Sequence, residues 1–114
     1  MNLERVAAGI LGSCGVAAAA ASAHGGDQRL MSAVALVCLA HAPALLAIST
    51  LRDERTVRIA ALLLFAGAAI FSADLALRAL HDARLFPMAA PTGGVILILG
   101  WLILMVSGFF RGRQ

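Results

Sequence analysis

The amino-acid sequence predicts an all-α integral membrane protein, a single domain of four transmembrane helices running up-down-up-down. Three observations predict it. Of 114 residues, 61% are hydrophobic and only 13% are charged, where an ordinary soluble domain has about a quarter charged. Mean hydropathy is +0.93. Four long apolar stretches, separated by three short charged hinges, fill nearly the whole chain. A water-soluble fold of this size has too little interior to hide that much apolar surface, whereas a bilayer requires no hiding. A spanning helix takes about 20 residues, so four of them and their hinges use up the length and leave no room for a soluble domain.

The first span, about 6–23, is rich in Ala and Gly and carries no charge between Val6 and Ala23. Arg5, the apolar run and Ala21-Ser22-Ala23 imitate a signal peptide with an Ala-x-Ala cleavage site; the expectation is that the segment is retained. His24-Gly25-Gly26-Asp27-Gln28-Arg29 forms the first hinge. The second span, about 30–51, is interrupted by His41 and Pro43. Pro43 has no amide to donate to the Leu39 carbonyl, which predicts a kink near mid-span. Arg52-Asp53-Glu54-Arg55 is a polar turn. The third span, about 57–80, carries Asp74 and Arg78 near its end, and His81-Asp82-Ala83-Arg84 follows as the last hinge. The fourth span, about 88–110, has Pro91 suited to a first helical position, and Arg111-Gly112-Arg113-Gln114 closes the chain.

Net charge is +3, and all nine basic residues are Arg. They sit at span ends rather than in a patch interleaved with aromatics, so they read as membrane-flank anchors and nucleic-acid binding is not expected. With four spans, Arg5, Arg52, Arg55, Arg58, Arg111 and Arg113 share one side, against Arg29, Arg78 and Arg84 on the other. The excess of arginine places both termini in the cytoplasm.

Small residues mark where helices meet, because association in lipid depends on close backbone approach. Ala8, Gly12, Gly15, Ala19 and Ser22 form one stripe on the first span; Gly93, Gly100 and Ser107 recur every seventh residue on the fourth. On the third, Gly67 and Phe71 lead to Asp74, Arg78 and His81 along one face. Such spacing suits a left-handed bundle, and serves contacts with another protein equally well.

Several of these landmarks occur together in a known family. Ala23-His24-Gly25 resembles its Gly-Ala-His-Gly span ending, and His41-Ala42-Pro43-Ala44-Leu45-Leu46-Ala47 resembles its His-Ala-Leu-Ala-Leu-Leu segment. Phe71-Ser72 is similar to its Phe-Ser-Gly-Ser pattern. Pro91-Thr92-Gly93-Gly94, followed by Gly100-Trp101, is similar to its Pro-x-Gly-Gly…Gly-Trp ending. This is the family of small bacterial inner-membrane proteins labelled domain of unknown function 423, itself similar to eukaryotic transmembrane protein 256. The resemblance covers all four spans and implies a four-helix protein of the inner membrane; it implies no activity. The chain departs from that pattern at Pro43, where an ordinary helix former is usual, and at Asp74, which replaces a small polar residue and lacks the aromatic expected just after it.

Three polar residues lie inside spans. Asp74 has a cost of roughly 2.5–3.5 kcal/mol on insertion scales and calls for a partner or a purpose. Arg78, at i+4, can supply the partner as an intrahelical salt bridge; an ion or proton site is the functional alternative. His41 lies about 16 Å from Leu30, near mid-membrane, with Cys38 one turn before it. A proton relay is one reading; an imidazole bonded to a carbonyl freed by Pro43, or to a neighbouring helix, is the other. His24, His81, Thr92, Gly93 and Gly94 should share the non-cytoplasmic end, where free amides at the start of the fourth span are a potential anion cradle.

Other chemistries are excluded by spacing. Two histidines holding a haem need a common depth, and His24 and His41 differ by about half a hydrocarbon core. No zinc-ligand spacing occurs, Cys14 and Cys38 form no metal motif, and no nucleophile triad stands out. Small multidrug exporters share the length and span count but need a Glu within the first span, which is absent here. The sequence therefore points to a non-enzymatic protein without metal or cofactor. It would act through helix contacts as an accessory or assembly subunit of a larger membrane complex, or as a small homo-oligomer. A small transporter or ion pathway using Asp74, Arg78 and His41 is the alternative.

Overall fold

The computed structural model describes residues 1–25, 27–51 and 53–111. Gly26, Arg52 and the tail from Gly112 to Gln114, counted above among the hinges and flanking arginines, lie outside the described residues. Four helices follow one another: α1 (Leu3–His24), α2 (Gln28–Ile48), α3 (Arg55–His81) and α4 (Ala89–Arg111). Each is long and apolar enough to cross a membrane, and among the described residues there is no strand.

The ends are set by local chemistry. Asn2 caps α1, its side-chain oxygen accepting from the Arg5 amide at 3.0 Å, and Asp27 caps α2 by accepting from the Leu30 amide at 3.2 Å. Both satisfy amides that no helical carbonyl can reach. The second helix stops at Ile48, three residues before the predicted boundary. Ser49 Oγ and Thr50 Oγ1 donate to the carbonyls of Leu46 and Ala47, and the amides of Thr50 and Leu51 also turn back three residues. Hydroxyls and tightened amides thus use up the carbonyls of the last turn. At Pro43 the helix continues unbroken in its backbone pattern. The third helix ends in Asp82, in the left-handed conformation at φ 51°, and α4 starts at Ala89, so Pro91 is its third residue rather than its first.

The helices lie in a row. Extensive seams join α1 to α2 and α3 to α4, a thinner one joins α2 to α3, α1 only grazes α3, and α4 has no backbone contact with α1. Two helical hairpins therefore stand side by side. Within each hairpin, glycine sets the spacing. A Cβ on Gly15 would lie 2.7 Å from the Leu39 side chain, and Gly12 faces Ala42. A Cβ on Gly67 would meet the Gly93 carbonyl at 2.8 Å and the Leu97 amide at 2.9 Å. One on Gly93 would meet the Phe71 amide at 2.7 Å, while Gly100 sits against Leu64. At Gly67 and Gly93 the approach is backbone to backbone, which only glycine permits, while Gly15 and Gly100 make room for leucine side chains. Ser107 continues the α4 stripe half-buried, with its hydroxyl bonded to the Leu104 carbonyl of its own helix.

Candidate functional site

The polar residues inside the membrane fall into two separate sets. The first is His41. Its ring is buried on α2, with Nδ1 2.7 Å from the Val37 carbonyl and Nε2 3.1 Å from Nε1 of Trp101 on α4. A carbonyl can only accept, and an indole N–H can only donate. Nδ1 therefore carries the proton and Nε2 offers its lone pair, so the ring is the neutral Nδ1–H tautomer with both nitrogens engaged. The rings lie 5.7 Å apart at 55°. The carbonyl that His41 uses belongs to Val37, one turn back on its own helix, and not to Leu39, the one that Pro43 leaves free. Three residues earlier, Cys38 Sγ lies 3.3 Å from Ser72 Oγ on α3. Both cross-links tie one hairpin to the other.

The second set is centred on Asp74, which is fully buried. Its Oδ2 accepts from Arg78 at 2.6 Å, the i+4 salt bridge. Its Oδ1 accepts from the backbone amide of Leu85 at 2.9 Å, across the loop that leads into α4. Each carboxylate oxygen thus has a charge-assisted or amide partner. One Arg78 group is left over: its Nε is buried without a hydrogen-bond partner among the described residues.

The expected cluster at the end of the bundle does not assemble. His24 and His81 are exposed, and among the described residues no hydrogen bond or ion pair joins them to Thr92, Gly93 or Gly94. Thr92 is exposed, its amide and hydroxyl both bonded to the Met88 carbonyl of its own turn. Gly93 is spent on the seam with α3. The reason is register. Since Gly93 lies between Gly67 and Phe71, and Gly100 beside Leu64, the start of α4 comes about level with Asp74. The last two turns of α3 rise beyond it, carrying His81 about 10 Å higher.

Among the described residues no group of three His, Cys, Asp or Glu side chains is placed to hold a metal. Because α1 barely meets α3, an open apolar groove of about 500 Å³ lies between them, floored by α2 and lined by Cys14, Ala18, Cys38, Ala69, Ser72 and Ala76 among others. Its walls offer dispersion contacts and almost no hydrogen bonding, so it suits hydrocarbon and no polar substrate.

Three partners escaped the sequence reading: Trp101 for His41, Ser72 for Cys38 and the Leu85 amide for Asp74. The first was within reach. His41 and Trp101 lie about equally far along α2 and α4, and both helices enter from the same end, so a count of depth pairs them. The Leu85 amide carries no side-chain signal at all.

Comparison with known proteins agrees with this architecture and adds no activity. A membrane protein of the UPF0382 group from Staphylococcus aureus is 32% identical over 71 residues, 60% of this chain and 58% of the relative. Another from Staphylococcus haemolyticus is 43% identical over 47 residues, 41% of this chain and 38% of the relative. The matched stretches thus span less than two thirds of these relatives. No solved structure matches. The model of the family described as "Protein of unknown function (DUF423)" matches residues 16–94, from the middle of α1 into the first turns of α4, and the chain belongs to that family of membrane proteins.

Proposed function

We propose that the protein works through helix contacts, as an accessory or assembly subunit of a larger complex of the bacterial inner membrane or as a small homo-oligomer, without catalysis of its own. The observation that carries this reading is the open row. Both end helices are packed on one side only, and their free faces hold glycines that no internal contact explains. A Cβ on Gly9 of α1, or on Gly94 or Gly108 of α4, would meet nothing within 4 Å. Elsewhere in the same helices glycine marks a close seam, so an unused glycine on a lipid-facing side supports a further helix coming from outside. The arginine distribution supports cytoplasmic termini.

The alternative, an ion or solute pathway through Asp74, Arg78 and His41, has weaker support. Both oxygens of Asp74 and both nitrogens of His41 are occupied internally, and the two sets share no contact. Extraction from native membranes in a gentle detergent, followed by mass spectrometry and size analysis, tests the proposal. A stoichiometric complex or a defined homo-oligomer is expected. A lone monomer, together with proton or solute flux in liposomes that Asp74→Asn abolishes, would replace it with the pathway.

A further inference from the structure

We propose that Leu85–Met88 is a re-entrant segment seated in the lipid at the edge of the hydrocarbon core, and that Asp74 is its internal cap. Depth is the first argument. Arg58 and Arg78 bracket α3 at a separation of about 30 Å, the thickness of the hydrocarbon core. Asp74 lies one turn inside Arg78, about 6 Å below that edge. The register of the α3–α4 seam sets the start of α4 at the same level. The connection therefore climbs to His81 and then descends again, and the Leu85 amide reaches a carboxylate that is fully buried.

Composition is the second argument. A loop in water is polar, but this one reads Leu85-Phe86-Pro87-Met88, and the three apolar side chains beside Pro87 are 43%, 41% and 62% exposed. Backbone accounting is the third. Irregular backbone at membrane depth needs a partner for its polar groups. Asp82 and Ala83 amides return to the carbonyls of Arg78 and Leu77, the Leu85 amide goes to Asp74, and Pro87 has no amide to place. The Phe86 carbonyl receives Ala89, and the Met88 carbonyl receives Thr92 twice. Among the described residues the amides of Phe86 and Met88 and the carbonyls of Leu85 and Pro87 have no protein partner, which holds the segment at the wet edge of the core and no deeper. The strain at Met88, a non-glycine residue at φ 66°, falls where the chain bends into α4 without losing these bonds. The buried carboxylate thus has a use: it supplies the acceptor that lipid lacks, and Arg78 supplies its countercharge.

The test is collisional access of a nitroxide label to oxygen, which concentrates in lipid, and to a water-soluble nickel chelate, in the full chain reconstituted in liposomes. Labels are placed by Phe86→Cys and, for comparison, His81→Cys, with Cys14→Ser and Cys38→Ser removing the native thiols. Oxygen should dominate at 86 and the chelate at 81. A position 86 that reads like 81, or one shielded from both reagents by protein, overturns the proposal. In Asp74→Ala the segment should be released, with chelate access at 86 rising roughly tenfold, the factor set by losing one hydrogen bond to a buried acceptor. Asp74→Asn keeps an oxygen for the Leu85 amide and should leave the reading at 86 near that of the parent. Equal release in both variants removes the capping role, and the label on the parent chain decides the lipid seat even where Asp74→Ala fails to fold.

Discussion

Single residues in this protein are explained by the valence of their polar atoms. His41 was legible as an anomaly, since an imidazole in mid-span must have a partner, and a count of depth along α2 and α4 leads to Trp101. Once Trp101 is seen to donate to Nε2, the tautomer follows and the ring reads as a clasp between α2 and α4. Removing one side strands the other: Trp101→Phe leaves an acceptor unfilled and His41→Ala leaves a donor. A double-mutant cycle over the two should show coupling of about 1 kcal/mol, the usual range for hydrogen bonds between membrane helices. Unfolding in mixed micelles measures it, and additive effects of the two changes would mean the bond contributes nothing. Asp74 differs in kind. Its salt bridge to Arg78 could be read from i+4 spacing, whereas its second oxygen serves a backbone group in a loop, and backbone groups have no letter in the sequence.

Helices were the most legible level, because twenty apolar residues in a row have few other fates. Their boundaries were less so. The second helix ends early since Ser49 and Thr50 spend their hydroxyls on its carbonyls, a choice that hydropathy does not encode. The small-residue stripes showed which faces approach a neighbour, but not which neighbour, and here the structure separates glycines of the same helix. Gly67→Ala places a methyl against the backbone of α4 and should destabilise the fold by about 1–3 kcal/mol. Gly94→Ala meets open space, and should be neutral or gain up to about 1 kcal/mol from helix propensity. Thermal unfolding in detergent distinguishes them, and equal effects would show that the α3–α4 seam has slack. Where Gly94→Ala leaves the monomer stable yet breaks an oligomer or complex, the outer face of α4 is the contact surface.

At the scale of the whole molecule, hydropathy predicted four spans, and the sequential order of contacts was beyond it. Nothing in a stripe of alanine and glycine distinguishes a closed bundle from an open row. What decides is the division of labour among seams. The seams inside each hairpin are built on glycine and close backbone contact, while the seam between hairpins is thinner and is fastened by Cys38–Ser72 and His41–Trp101. The two ends of the row are left unmated. A size determination in gentle detergent should accordingly find more than one chain per particle, or a foreign partner in fixed ratio.

That serial order also bears on how the protein comes to exist. Neither half borrows its main seam from the other, so each hairpin can enter the bilayer as a finished unit and meet its sister afterwards by lateral diffusion. The covalent link between α2 and α3 would then matter chiefly because it keeps the halves close. Two separately translated pieces, cut at that hinge and co-expressed, should find each other and co-purify. The two-piece assembly should also suffer more from Trp101→Phe than the intact chain does, since without the tether no effective concentration holds the halves together. Pieces that never associate would show that the hinge does more than connect.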